Sequence, residues 1–113
     1  MRRVLWLTHV YPRHDTDPLG VFLHRLARRL PERDVEVRVL APAAPGAPER
    51  EERDGVEIRR FGYAGMAGHP LAYTGEMHRG AARRPVQFLQ FLHALRGATR
   101  TQISEFEPDL VHA

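Results

Sequence analysis

Between His9 and Gly20 the chain reads His-Val-Tyr-Pro-Arg-His-Asp-Thr-Asp-Pro-Leu-Gly, and it crowds His9, Tyr11, Arg13, His14, Asp15 and Asp17 into one polar stretch. A few convergent polar groups of this kind are enough to orient a ligand rich in hydroxyls. Gly20 follows immediately and opens a run of helical period. Backbone N–H groups at a helix start suit an anion such as a diphosphate, and a glycine lets it come close. His112 closes the apolar run Leu110-Val111 and could donate a hydrogen bond to a phosphate or a hydroxyl. A metal site from His9, His14 and Asp15 lacks the helical ligand spacing such sites use, so a solvated loop is the better reading there. Arg79, Arg83, Arg84, Arg96 and Arg100 put five positive charges into a segment with no acidic residue. Beside Phe88 and Phe91 that segment could lie on an anionic membrane surface; a core helix with a solvated basic face is the plainer account.

These residues need elements to hold them. Val4 to Leu7 is a short apolar run, as expected of a strand buried on both faces. Leu19, Phe22, Leu23, Leu26, Ala27 and Leu30 share one helical face, which predicts a first helix from Pro18 or Leu19 to about Leu30, with Asp17 as its N-cap. Val35 to Ala41 alternates as a second strand. Pro42 to Asp54 reads as an exposed loop. Gly55 to Phe61 alternates as a third strand, and its charges predict an edge position. Gly62 to Arg84 is irregular and rich in glycine, tyrosine and histidine. A second helix is expected from Pro85 to about Glu107, with Phe88, Phe91, Leu92, Leu95, Thr99, Ile103 and Phe106 on its inner face. Pro108 stops it, and Asp109 to Ala113 begins a fourth strand.

The fold class this predicts is α/β: an incomplete, three-layer, Rossmann-like parallel sheet of about four strands, with two main helices. Right-handed crossovers favour the strand order 3-2-1-4. Strands one and four are then neighbours, the winding reverses between them, and His9 to Gly20 meets His112 at the switch point.

Composition narrows the alternatives. A length of 113 residues allows one domain. There is no cysteine, hence no disulfide or thiolate metal site, and no apolar run long enough to span a membrane. All 17 basic side chains are arginine, and a formal net charge of +3 is too small and too scattered for nucleic-acid binding without a recognisable motif.

Taken together, Arg3-Val-Leu-Trp-Leu-Thr-His-Val-Tyr-Pro, Gly20-Val-Phe-Leu-His-Arg-Leu-Ala-Arg-Arg-Leu, Val35-Glu-Val-Arg-Val-Leu-Ala-Pro, Gly55-Val-Glu-Ile-Arg-Arg-Phe, Pro70-Leu-Ala-Tyr and Pro108-Asp-Leu-Val-His-Ala form one ordered succession. It resembles the N-terminal domain of retaining glycosyltransferases of family 4, the glycosyl transferase group 1 type with the GT-B fold. The resemblance implies an acceptor-side domain over residues 1–113. A second Rossmann-like domain, outside this chain, would hold most of a nucleotide-sugar donor. It further implies Gly20 beside the donor phosphates, His112 as the catalytic residue, and His9, Tyr11, Arg13, His14, Asp15, Asp17 and Tyr73 around a sugar or lipid-linked acceptor. The nucleotide sugar is a substrate, so neither a cofactor nor a metal is implied. The expected setting is cytoplasmic, either free or peripherally on the inner face of the membrane. Two features depart from the family pattern: Asp17-Pro-Leu-Gly20 supplies one glycine where many members have adjacent glycines, and His112 holds only the first place of a His-x-His-like ending. The chain therefore looks like a fragment, inactive by itself. A non-catalytic flavodoxin-like binding domain, or a peripheral membrane module, would use the same elements.

Overall fold

The computed structural model describes residues 2–14, 16–18, 20–44, 46–62 and 85–113. Strand β1 (Arg2–Leu7) leads through the polar loop into helix α1 (Val21–Ala27) and a 3₁₀ turn (Leu30–Arg33). Then come β2 (Val35–Pro42), β3 (Arg50–Arg53), β4 (Val56–Phe61), helix α2 (Pro85–Phe106) and β5 (Leu110–His112). The sheet order is β3-β4-β2-β1-β5. Every pairing is parallel except β3 with β4. The four expected strands thus take the expected order, and the winding reverses at β1, which carries β2 on one side and β5 on the other.

The pleat sends alternate residues to two cores. On one face Leu5, Leu40 and Phe61 meet Phe91 and Phe106 of α2. On the other, Val37, Val39, Ala41, Val56 and Ile58 meet Tyr11 and, from α1, Leu23 and Ala27. The result is helix, sheet, helix in three layers. Each fully covered branched side chain, such as Leu5 or Ile58, contributes about 1.5–3 kcal/mol of apolar burial.

Several details differ from the sequence expectation. Residues 50–53, expected within a loop, form β3 and pair with β4. β4 is therefore internal. Its charges are absorbed: Glu57 accepts from Arg38 Nε at 2.6 Å, and Arg60 donates to the Pro12 carbonyl at 2.8 Å. Helix α1 stops at Ala27 rather than Leu30. The ring of Pro31 would meet the carbonyl four residues back, that of Ala27, so the chain continues as a 3₁₀ turn instead. On α2, Leu92 and Ile103 face outward at 41% and 45% exposure, while Phe88, Phe91 and Leu95 face the sheet.

Arg3 locks β5 beside β1. Its N–H donates to Asp109 Oδ2, its carbonyl accepts from the Asp109 N–H, both at 2.8 Å, and its guanidinium reaches the Phe106 carbonyl at 3.0 Å. Glu107 takes a left-handed backbone (φ 51°) between α2 and Pro108, since a residue before proline is pushed out of the helical region.

Candidate functional site

The ladder pairs Trp6 with His112, which places both on the same face at the carboxyl ends of β1 and β5. Their rings lie 5.9 Å apart, tilted by 53°. Beyond them opens a cleft of about 390 Å³, lined by Trp6, Leu7, Thr8, His9, Leu23, Phe91, Leu95, His112 and Ala113. His9 and His112, both exposed, are its titratable groups among the described residues. Such a cleft, apolar with a few hydrogen-bonding groups, is the usual form of a small-ligand site and lies at the switch point of the sheet. Helix α1 contributes Leu23 to its wall, and α2 contributes Phe91 and Leu95.

The first loop is folded by its own side chains. Thr8 Oγ1 donates to the Val10 carbonyl at 2.8 Å. Asp17 is buried, and its carboxylate accepts from the Arg13 backbone N–H (2.9 Å), from Nε (2.6 Å) and from the far guanidinium nitrogen (3.2 Å). This two-pronged ion pair ties Asp17 back to Arg13. Asp17 is consequently not the N-cap of α1. That position belongs to Gly20, at φ 73° and ψ 11°, and no side chain caps the helix. A Cβ on Gly20 would lie 3.1 Å from the Val10 carbonyl oxygen and 3.3 Å from Tyr11 Cα. The left-handed backbone and this close approach account for the glycine without a ligand.

Tyr11 is fully buried. Its hydroxyl lies 2.6 Å from His24 Nδ1, and His24 Nε2 lies 2.8 Å from Asp54 Oδ2. A carboxylate can only accept, so Nε2–H donates to Asp54 and Nδ1 accepts from the Tyr11 hydroxyl when the ring is neutral. Burial pushes the Tyr11 phenol well above its ordinary pKa. The hydrogen bond from His24 holds the Asp54 carboxyl below its ordinary value. Together the three side chains tie the first loop, α1 and the β3–β4 turn.

The residues singled out from the sequence therefore separate. His9 and His112 come together in the cleft. Tyr11 and Asp17, expected around an acceptor, are buried, and each is held there by a polar partner. Arg13 is half-buried on Asp17. His14 is exposed, bonded to Thr16 Oγ1 at 3.1 Å, and lines a different groove. Asp15 and Tyr73 lie outside the described residues. Gly20 does not line the cleft; Leu23, one turn further on, does. The sequence reading did not single out Trp6, Leu23, Phe91 and Leu95, because apolar residues in regular elements look like core. It also passed over His24 and Asp54: the expected inner face of α1 ran through Phe22 and Leu26, which are exposed, whereas His24 is buried. Among the described residues no three His, Asp or Glu side chains gather as a metal site would need, and no helix is long and apolar enough to cross a membrane.

No curated protein matches the chain. A family model does: the glycosyl transferase 4-like domain, over residues 19–113. That span takes in α1, the whole sheet except β1, α2 and His112. With a mostly parallel sheet whose switch-point cleft holds His9 and His112, the chain belongs to the glycosyl transferase 4-like domain family.

Proposed function

We infer that this chain is the acceptor-side domain of a retaining glycosyltransferase that uses a nucleotide-sugar donor. The observation that carries the reading is the convergence of His9 and His112 on one apolar cleft, at the carboxyl edge of a glycosyltransferase-family sheet. In the reaction an acceptor hydroxyl replaces the diphosphate on the sugar's anomeric carbon. The bond to the leaving oxygen breaks as the new glycosidic bond forms, and the acceptor's proton passes to the departing diphosphate oxygen. Negative charge grows on the diphosphate, so donors aimed at it supply most of the stabilisation. His112 is suited to that task from the end of β5, and His9 to holding an acceptor hydroxyl. Trp6 and Leu23 offer apolar surface to a sugar ring. Gly20 shapes the loop that carries His9, and its part in donor-phosphate binding rests on the family resemblance alone.

One wall of a cleft leaves most of a bound donor in water, whereas productive sites enclose it. The 113 residues alone should therefore show no transfer and no micromolar affinity for uridine or guanosine sugar nucleotides in calorimetric titration. Micromolar binding would place the donor site in this half and overturn the assignment. In a chain that also carries a donor-binding domain, His112→Ala should lower kcat by a factor on the order of 10² with a smaller change in KM. An unchanged kcat would remove His112 from the chemistry.

A second reading, peripheral membrane contact through α2, is favoured by one observation. Val86 and Leu89 are 68% and 64% exposed on the helix surface shared with Arg96 and Arg100. Phe88 takes no part, since it packs toward the core, and residues 79–84 of the basic segment lie outside the described residues. Sedimentation with anionic vesicles, with and without Arg96→Glu and Arg100→Glu, decides it.

A further inference from the structure

On the side of α1 away from the cleft, a second groove of about 410 Å³ runs between that helix and the β3–β4 turn. Its lining includes Arg25 from α1, Arg28 at its C-cap, Arg53 from the end of β3, Asp54 from the turn, His14 from the first loop and His24 at its base. Three arginines thus face one carboxylate. That carboxylate is already engaged by His24 Nε2, and Arg53 is engaged by Glu51 at 2.8 Å. Arg25 and Arg28 are different: both are exposed, among the described residues neither has a carboxylate within 4 Å, and Arg28 acts on Asp54 only through its charge at longer range. They stand three positions apart, where like charges on a helix repel.

The position of Arg28 at the helix C-cap gives one reason for a cation there, because the helix dipole favours it. It gives no reason for both guanidinium groups to line a concave, polar surface with a preset histidine beneath. His24 cannot swing away, being pinned from both sides by Tyr11 and Asp54. An anion seated between Arg25 and Arg28 would relieve their repulsion and take up two planar forks of N–H donors, the geometry that matches phosphate oxygens.

We propose that the groove between α1 and the β3–β4 turn binds a phosphate group, free or carried on a small sugar, through Arg25 and Arg28. This site is separate from the His9–His112 cleft and does not depend on the transfer reaction assigned to it.

The test is a titration of the whole chain with inorganic pyrophosphate and, separately, with a hexose phosphate, followed by the imidazole resonances of His14, His24, His9 and His112. Saturable shifts at His14 and His24, with His9 and His112 unmoved, are the expected result. Arg25→Ala with Arg28→Ala should weaken binding by about tenfold or more, as loss of charge-assisted hydrogen bonds does. Arg33→Ala, which changes net charge outside the groove, should leave it unchanged. Pyrophosphate binding without hexose phosphate binding identifies a site for the free ion; binding of both identifies a site open to a phosphorylated sugar. Shifts at His9 and His112, no saturable shift, or an equal loss in Arg33→Ala would each overturn the proposal. Circular dichroism of the double variant confirms that it stays folded; if it does not, Arg28→Lys, which keeps the charge and loses the fork, should weaken binding in its place.

Discussion

Tyr11, His24 and Asp54 form the best-defined polar chain in the described structure, and it carries structure rather than chemistry. The phenol is buried, so removing its hydroxyl leaves the inward nitrogen of His24 without its partner. Tyr11→Phe should destabilise the chain by roughly 1–3 kcal/mol in urea unfolding, the cost of a buried polar atom left unpaired. Asp54 makes a different prediction, because its side chain is half exposed and its folded pKa lies below the ordinary 3.8. A depressed carboxyl pKa means that the unfolded state binds the proton first as the pH falls. The stability Asp54 supplies is thus whole above pH 3.8 and is lost below it, as the pH passes through the folded pKa. The stability gap between the wild type and Asp54→Asn should persist from neutral pH down to that point and close beneath it. Urea melts across the pH range measure this; a gap that stays open in stronger acid would show that Asp54 does not act through its charge.

At the scale of elements the β3–β4 hairpin is the instructive case. Asp54 and Gly55 both have positive φ, at 52° and 80°, and Arg53 pairs directly with Val56. That is a two-residue turn of the type whose twist suits a hairpin, and Asp-Gly is its usual sequence. The dipeptide was visible beforehand. Glu-Arg-Glu-Glu-Arg ahead of it masked the strand, since neither residue type favours strands intrinsically. Pairing with β4 overcame that preference: Glu51 reaches Arg60 across the strands at 3.7 Å, as well as Arg53 of its own strand at 2.8 Å. A Cβ on Gly55 would meet only the Pro31 ring, at 4.0 Å, so substitution there tests backbone conformation almost alone. Gly55→Ala should cost about 1 kcal/mol or slightly more, and Gly55→Asn less, because asparagine tolerates the left-handed region. Equal losses for both, compared by chemical denaturation, would point to packing instead.

For the whole molecule the exposed edge of the sheet sets behaviour in solution. β5 lies at the edge, and its Leu110 and Val111 are 58% and 39% exposed. Phe22 and Leu26 of α1 are exposed as well, at 68% and 52%. An open strand edge with apolar side chains is a template for pairing with another chain, and a lysine on such an edge blunts it. The 113-residue chain should associate as its concentration rises, and Leu110→Lys should shift the distribution toward monomer in sedimentation velocity. A wild-type chain that stays monomeric at high concentration would contradict this. The margin of a domain this size is only ~5–15 kcal/mol, so association and stability should be measured together.

Hydrophobic periodicity alone determined the α/β class, the two helices, four of the five strands and their order. Alternation at period two and recurrence near period four are local properties, and right-handed crossovers leave few ways to join them. The pairing of His9 with His112 was legible too, because neighbouring strands in a parallel sheet deliver their carboxyl ends to one edge. What local pattern could not decide was which polar side chains point out and which point in. Tyr11, Arg13, His14 and Asp17 are equally polar as letters. Tyr11 is drawn inward by His24, a partner 13 positions away in the chain that only the fold brings within 2.6 Å, and Asp17 by Arg13. The charges of β4 likewise read as an edge until Arg38, Glu51 and the Pro12 carbonyl came within reach. A polar group is buried where a partner waits, and partners distant in sequence are brought there by the tertiary fold.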